Sequence, residues 1–261
     1  MSEATSAGAY DWFLSGKDAS EADIAMGEWV EANWPGIRTA AQANRAFVLR
    51  STRWLVETGV EQLLDLGAGI PTSPAIHEVA HDINPDVGVV YVEMDRRVAL
   101  RVAADLTAER VSYVEGNAIE VAAVLSHPDL LAVLDLDRPV AVLMNALLHY
   151  VPDEMGPLEA VRAYMDAVPS GSYLVISHVT PDFAPHQVVS TDGSGEGEED
   201  LPKLPPGQPR SSEELLPFLT GLEIVEPGIV TPPRWRPGPE GIPAAHDDAT
   251  VSQWAVVARK P

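Results

Sequence analysis

Between residues 60 and 180 the chain alternates short apolar runs with longer stretches of mixed polarity. The runs at 62–66, 87–92, 111–114, 140–144 and 173–177 are dominated by Val, Leu, Ile and Tyr. Near-continuous apolar strands of this length are buried on both faces, as in parallel sheets. The intervening segments at 75–83, 98–106, 118–134 and 158–168 are long enough to be crossover helices, the third broken at Pro128. This alternation predicts a parallel sheet with right-handed connections and helices over both faces. Two closing strands follow at 222–225 and 254–258, after a short helix over 211–219 with Ser211 as its N-cap.

The chain up to Gly59 reads as helical instead. Ser20 with Asp23 three residues on resembles a capping box, and Ile24, Trp29, Val30 and Trp34 give the helix a partly apolar face until Pro35-Gly36 ends it. A second helix starts near Ile37, carries Ala40, Ala43, Phe47, Leu49 and Trp54-Leu55, and stops at Gly59. Residues 1–59 are therefore expected to form an N-terminal helical cap on a sheet domain spanning 60–261. Within that domain, 181–210 is rich in Pro, Gly, Ser and acidic residues and lacks the apolar surface to order itself. It reads as a mobile insertion, either a surface loop or a substrate lid.

Composition narrows the function classes. With 39 acidic against 17 basic side chains, the formal charge of -22 repels phosphate polymers and anionic lipid, so neither nucleic acid nor membrane is an expected partner. Cysteine is absent, which excludes disulfides, thiolate metal sites and cysteine nucleophiles. No apolar run reaches membrane-spanning length and no basic-then-apolar leader opens the chain, so the cytoplasm is the expected location. His246-Asp247-Asp248 is read as a solvated loop, because three adjacent ligands rarely converge on one ion, and no metal is expected.

The first strand runs into Asp65-Leu66-Gly67-Ala68-Gly69, a turn whose missing Cβ atoms let a ligand approach exposed backbone N–H groups. A dinucleotide fingerprint would place a third glycine at position 72, where Thr stands. An NAD-dependent oxidoreductase is thereby weakened and kept as an alternative. Asp65 inside the strand end suits a ligand with a cationic amino-acid end. The second strand leads to Glu93, 24 residues beyond Gly69 and close to the spacing of roughly 20 expected for one helix and one strand, a carboxylate able to accept both ribose hydroxyl protons. Asp95 is the competing carboxylate, or the cap of the following helix. After the third strand, Asn117 either reaches an adenine amino group or caps the segment from Ala118.

This order of motifs resembles the class I S-adenosylmethionine-dependent methyltransferases. Residues 10–18, 43–47, 63–72, 137–140, 148–153 and 171–178 are similar, in order, to an actinobacterial methyltransferase family first catalogued as a domain of unknown function. The resemblance implies a Rossmann-like α/β fold with a seven-stranded, mostly parallel sheet, and S-adenosyl-L-methionine as cofactor. Members usually carry Asp where this chain has Glu93, and Asp near Asn117. The first change keeps a carboxylate on a longer arm; the second removes a charge.

Methyl transfer from a sulfonium is an in-line displacement, so the protein mainly aligns the reactants and excludes water. A hydroxyl or ammonium acceptor also needs a base. Candidates at the carboxyl ends of the fourth and fifth strands are Asn145, His149, Tyr150 and His178; each histidine is read either as catalytic or as structural. Tyr10, Asp11, Lys17 and Asp18 form a polar and aromatic cluster expected to close over the cofactor. Arg45 is then placed to pair with the methionyl carboxylate or an anionic acceptor, or to make an ordinary ion pair. The acceptor is expected to be a small molecule, methylated on oxygen or nitrogen. The alternative of a different kind is a protein that binds S-adenosylmethionine without turnover.

Overall fold

The computed structural model describes residues 4–96, 98, 108–183, 207–238 and 247–261. The helix expected over 98–106, beyond Val98 itself, lies outside the described residues, as do 184–206 of the insertion and His246. Among the described residues seven strands, β1 (Gln62–Leu66), β2 (Gly88–Glu93), β3 (Val111–Glu115), β4 (Ala141–Asn145), β5 (Tyr173–Val179), β6 (Glu223–Ile224) and β7 (Gln253–Arg259), form one sheet in the order β3-β2-β1-β4-β5-β7-β6. The first five pair in parallel, and β7 runs antiparallel to both β5 and β6. The order reverses between β1 and β4, where an open α/β sheet offers a crevice at its carboxyl edge.

Alternate side chains of each strand supply two cores. Leu64, Val90, Val142, Leu174 and Val256 face one side, where they meet α5 (Val121–Leu125), α6 (Pro128–Leu131) and α7 (Pro157–Asp166). α4 (Ile76–His81) lies on the other side with Leu63, Val89, Leu143, Val175 and Val257. Each fully buried Leu or Val here contributes roughly 1.5–3 kcal/mol of transfer free energy, so near-continuous apolar strands follow from two covered faces. Pro128 opens α6 at its first turn, which is why the segment expected as one broken helix forms two short ones.

Three helices precede the sheet: α1 (Ser6–Phe13), α2 (Glu21–Asn33) and α3 (Ile37–Glu57). α3 presents Phe47, Val48, Leu55 and Val56 to the second core, so it joins α4 in that helical layer. α1 and α2 build a smaller cluster from Ala9, Phe13 and Met26 against Ala41 of α3. Ser20 and Asp23 form the capping box that opens α2, as the spacing predicted. The same Asp23 also accepts the Thr5 backbone N–H at 2.6 Å, and Thr5 caps α1. α1 is an additional helix that periodicity did not isolate, because it is eight residues long and rich in small side chains.

Candidate active site

The crevice between β1 and β4 is framed by a bend with little room for side chains. Gly67 and Gly69 adopt positive φ angles of 71° and 64°, a region glycine enters without steric penalty. The Gly67 and Ala68 N–H groups both donate to the Val92 carbonyl, at 2.9 and 3.0 Å, binding the bend to the end of β2. A Cβ at Gly67 would stand 2.6 Å from Leu147 Cδ1, and one at Gly69 would meet Ala7 of α1 at 3.7 Å. The first helix thus lies over the glycine bend.

Glu93 is 8% exposed and faces the bend rather than solvent. One carboxylate oxygen accepts the Gly69 N–H at 2.9 Å and the other accepts the Asp95 N–H at the same distance. Each oxygen keeps lone pairs for a further donor. Asp95 stands before the helical turn opened by Arg96. Exposed Met94 lies between the two acids. Tyr113, stacked on Tyr91, donates to the Gly69 carbonyl at 3.0 Å and stiffens the bend from below.

Asp65 is buried at the end of β1, and among the described residues no donor reaches its carboxyl. Burial pushes its pKa up to about 7, with Arg45 opposing and Glu93 adding to the rise. Arg45 projects from α3 and donates to the Thr72 and Pro74 carbonyls at 2.6 and 2.5 Å, while its Nε is buried with no partner among the described residues. On the same helix, Asn44 donates to the Tyr10 hydroxyl at 2.8 Å, and its own side-chain oxygen has no partner among the described residues. Tyr10 in turn donates to the Ala41 carbonyl. Burial raises the phenol to about 12, so it stays protonated. Lys17 is exposed on the turn after α1, where the Asp11 carboxylate accepts the Asp18 N–H at 2.9 Å. Asn117 accepts the Ile119 N–H at 3.2 Å, closing a local turn before α5.

β4 delivers Asn145 beside Gly67, two positions past the Asp65–Leu143 pair. Both side-chain polar atoms of Asn145 are buried and have no partner among the described residues, as is the case for Nδ1 of His149 on the turn that follows. Burial, then His178, then Arg210 hold the His149 pKa well below the ordinary imidazole value. His178 is the penultimate residue of β5, its ring centroid 5.6 Å from that of His149. Tyr150 lies within electrostatic reach of Tyr10, which brings α1 near the turn that carries His149. Arg210 and Asn44 were not singled out from the sequence. Each contacts groups more than 30 residues away, and no local periodicity marks them.

His246 lies outside the described residues; Asp248 is held by Thr231 and Arg234, at 2.7 and 3.0 Å. Arg236 lies over Trp54, its guanidinium carbon 4.7 Å from the ring centroid, so the arginines of the 234–236 stretch are engaged within the chain. No described helix is long and apolar enough to cross a membrane.

The unbonded buried atoms suit a ligand rich in both donors and acceptors, because each costs roughly 1–3 kcal/mol while it stays unpaired. A nucleoside carrying an amino-acid end has the groups that such residues could hold: a diol for Glu93, an ammonium for Asp65 and a carboxylate for Arg45. Strand order, glycine bend and acid-ended second strand together define a class I methyltransferase.

Sequence comparison carries this to a family: the pattern of the S-adenosyl methyltransferases matches residues 1–261, and the chain belongs to that family. It is a methyltransferase that uses S-adenosylmethionine. A DUF574-family protein from Streptomyces avermitilis is 36% identical, superimposes with a TM-score of 0.92, and is matched over 99% of this chain and 98% of its own. A candidate methyltransferase from Thermobifida fusca is 32% identical at a TM-score of 0.88, over 99% and 95% of the two chains. An O-methyltransferase family protein from Burkholderia thailandensis, 15% identical over 86% of this chain and 60% of that one, shares the fold at a TM-score of 0.51. No protein with a curated description matches the sequence.

Proposed function

We propose that this methyltransferase acts in the cytoplasm on a small molecule, methylating an oxygen or nitrogen seated beside His149. The observation that carries the reading is a set of buried polar atoms that have no partner among the described residues: Asn44 Oδ1 and Arg45 Nε on α3, both amide atoms of Asn145 at the end of β4, and His149 Nδ1 on the turn after it. Unpaired donors and acceptors on these elements suit a polar ligand of limited size. The net charge of -22 disfavours a polyanionic acceptor.

When bound, S-adenosylmethionine supplies an electrophilic methyl group on a sulfonium. Glu93 accepts the ribose hydroxyls, with Gly69 and Asp95 already fixing its two oxygens. Met94 offers an exposed apolar surface to the adenine beside them, and Asn117 an amide. Asp65 would hold the ammonium and Arg45 the carboxylate, and Asn145 would lie between the donor and acceptor halves. Tyr10 and Asn44 seal the opening from α1 and α3, which excludes water.

On the acceptor side, His149 takes a hydrogen bond from the acceptor's O–H or N–H. The bound donor would give its methyl group to the acceptor's lone pair, the electron pair of the broken carbon–sulfur bond staying on the thioether sulfur, and His149 would hold the proton that the acceptor loses. Burial makes the imidazolium unfavourable, so the proton moves on to water when the site opens.

The test is transfer of labelled methyl from S-adenosylmethionine to a panel of phenols, alcohols, amines and carboxylic acids, with demethylated cofactor measured in parallel. Turnover on oxygen or nitrogen acceptors, lost in His149→Asn at unchanged S-adenosylhomocysteine affinity, supports the reading. Transfer confined to carboxylates would remove the need for a base and overturn the role given to His149.

A further inference from the structure

The contact between Arg210 and His178 fixes the position of a proton. A guanidinium only donates, so the 3.0 Å approach of Arg210 Nη1 to His178 Nε2 requires that nitrogen to offer its lone pair. The ring proton then resides on Nδ1, which donates to the Val179 carbonyl at 2.7 Å. Both nitrogens of His178 are committed. The same guanidinium donates to the carbonyls of Leu148 and Val151, each at 2.9 Å, and to the Asp153 carboxylate at 2.6 Å. Arg210 is 2% exposed, whereas the Asp153 side chain is 69% exposed. A cation this deep has its geometry dictated by the groups that solvate it.

His149 rides on the turn that Arg210 clamps, yet it has no such attachment. Its Nδ1 is buried and unbonded, and among the described residues neither ring nitrogen has a hydrogen-bond partner.

We propose that Arg210 is a positioning residue of the acceptor side: it occupies the lone pair of His178, clamps the 148–153 turn, and leaves His149 as the imidazole of the pair open to an uncharged O–H or N–H of the acceptor. The inference deepens the reading that His149 faces the acceptor and rests on it. The titratable and charged groups around the two rings are Arg210, Asp153 and Tyr150, with Tyr10 beyond Tyr150 and Glu214 facing His178. Burial first, opposed by the bond to Val179, brings the His178 pKa down to about 4. An ammonium acceptor entering here would meet a guanidinium whose carboxylate partner lies toward solvent, so cationic acceptors are disfavoured.

The experiment is long-range nitrogen–proton NMR of the imidazole rings in the full chain, between about pH 5.5 and 8, where an ordinary histidine titrates. The wild-type protein is expected to show His178 with its proton on Nδ1 and no titration across this range. In Arg210→Met, His178 gains a titration or a mixed tautomer, His149 titrates at higher pH, and amide exchange across 148–153 quickens about tenfold. Arg210→Lys, with one compact donor group, retains the His178 tautomer but loosens the turn. S-adenosylhomocysteine affinity, measured by calorimetry, stays within about threefold of wild type in both variants, since Arg210 lies outside the donor half. A wild-type His178 carrying its proton on Nε2 would overturn the inference even if the variants do not fold, and so would an unchanged His178 in a folded Arg210→Met. If the NMR pattern holds but His149→Asn keeps full turnover, the tautomer assignment stands and the acceptor role of His149 falls.

Discussion

The Glu93 carboxylate holds the backbone N–H of Gly69 at 2.9 Å, so the acid that ends β2 also shapes the bend that ends β1. One side chain therefore joins the geometry of two strand ends. Glu93→Gln removes the charge and, at the oxygen replaced by NH2, an acceptor for the bend or for Asp95. With charge-assisted bonds worth about 1.5–3 kcal/mol, S-adenosylhomocysteine affinity should fall about 10- to 100-fold, and less in Glu93→Asp. Calorimetric titration decides it: affinity within twofold of wild type in Glu93→Gln would place the ribose elsewhere.

Gly67 is constrained twice, by its φ of 71° and by Leu147 Cδ1 standing 2.6 Å from where a Cβ would lie. Gly67→Val should abolish cofactor binding and also lower stability by about 1–3 kcal/mol, since a β-branched residue is strained at positive φ. Leu147→Ala in the same chain would relieve the overlap but not the backbone strain. Partial recovery of the melting temperature without recovery of binding is the expected pattern, read by thermal unfolding and calorimetry; full recovery of both would show that sterics alone mattered.

Asp65 provides a pH test. Its folded pKa of about 7 exceeds the ordinary 3.8, so the folded chain keeps a proton that the unfolded chain has already released. The destabilisation is absent below about pH 4, grows as pH rises through the window between the two values, and is complete above about pH 7. Three pKa units correspond to about 4 kcal/mol at most. Asp65→Asn should therefore melt several degrees above wild type at pH 8 and near it at pH 4. Equal melting temperatures at pH 8 would show that Asp65 ionises without penalty.

Asp23 ties the ends of two helices together, accepting from Thr5 and Ser20 while lying where a Cβ on Gly8 would fall. Burial opposes its ionisation, but the bonds from Ser20 and Thr5 outweigh it and lower the pKa. Asp23→Ala should lose about 1–2 kcal/mol through two caps and raise amide exchange in α1 ahead of the sheet. Hydrogen exchange by mass spectrometry would show it; uniform protection across both regions would mean that α1 is held by its apolar contacts alone.

Strands were legible because burial on both faces writes itself as unbroken Val and Leu runs. β1 matches its sequence bounds, and β2 begins and ends within a residue of the run that marked it. The Ser20–Asp23 box was legible for a similar reason, since both its bonds lie within one turn. Arg210 was not, because its partners at Leu148, Val151 and His178 are assembled by the sheet and leave no periodic trace. Leu147 over Gly67 and Ala7 over Gly69 belong to the same kind: close approaches between distant segments, set by tertiary packing rather than by any local preference.

The Asp23 knot makes the first two helices one body, and that body rests on the bend through Ala7. With the nucleoside seated at this bend, as proposed above, its exit would tilt two helices rather than fray one terminus. A single slow opening would then time both the arrival of fresh methyl donor and the departure of its spent form, and turnover would follow the rhythm of that hinge rather than the speed of bond exchange.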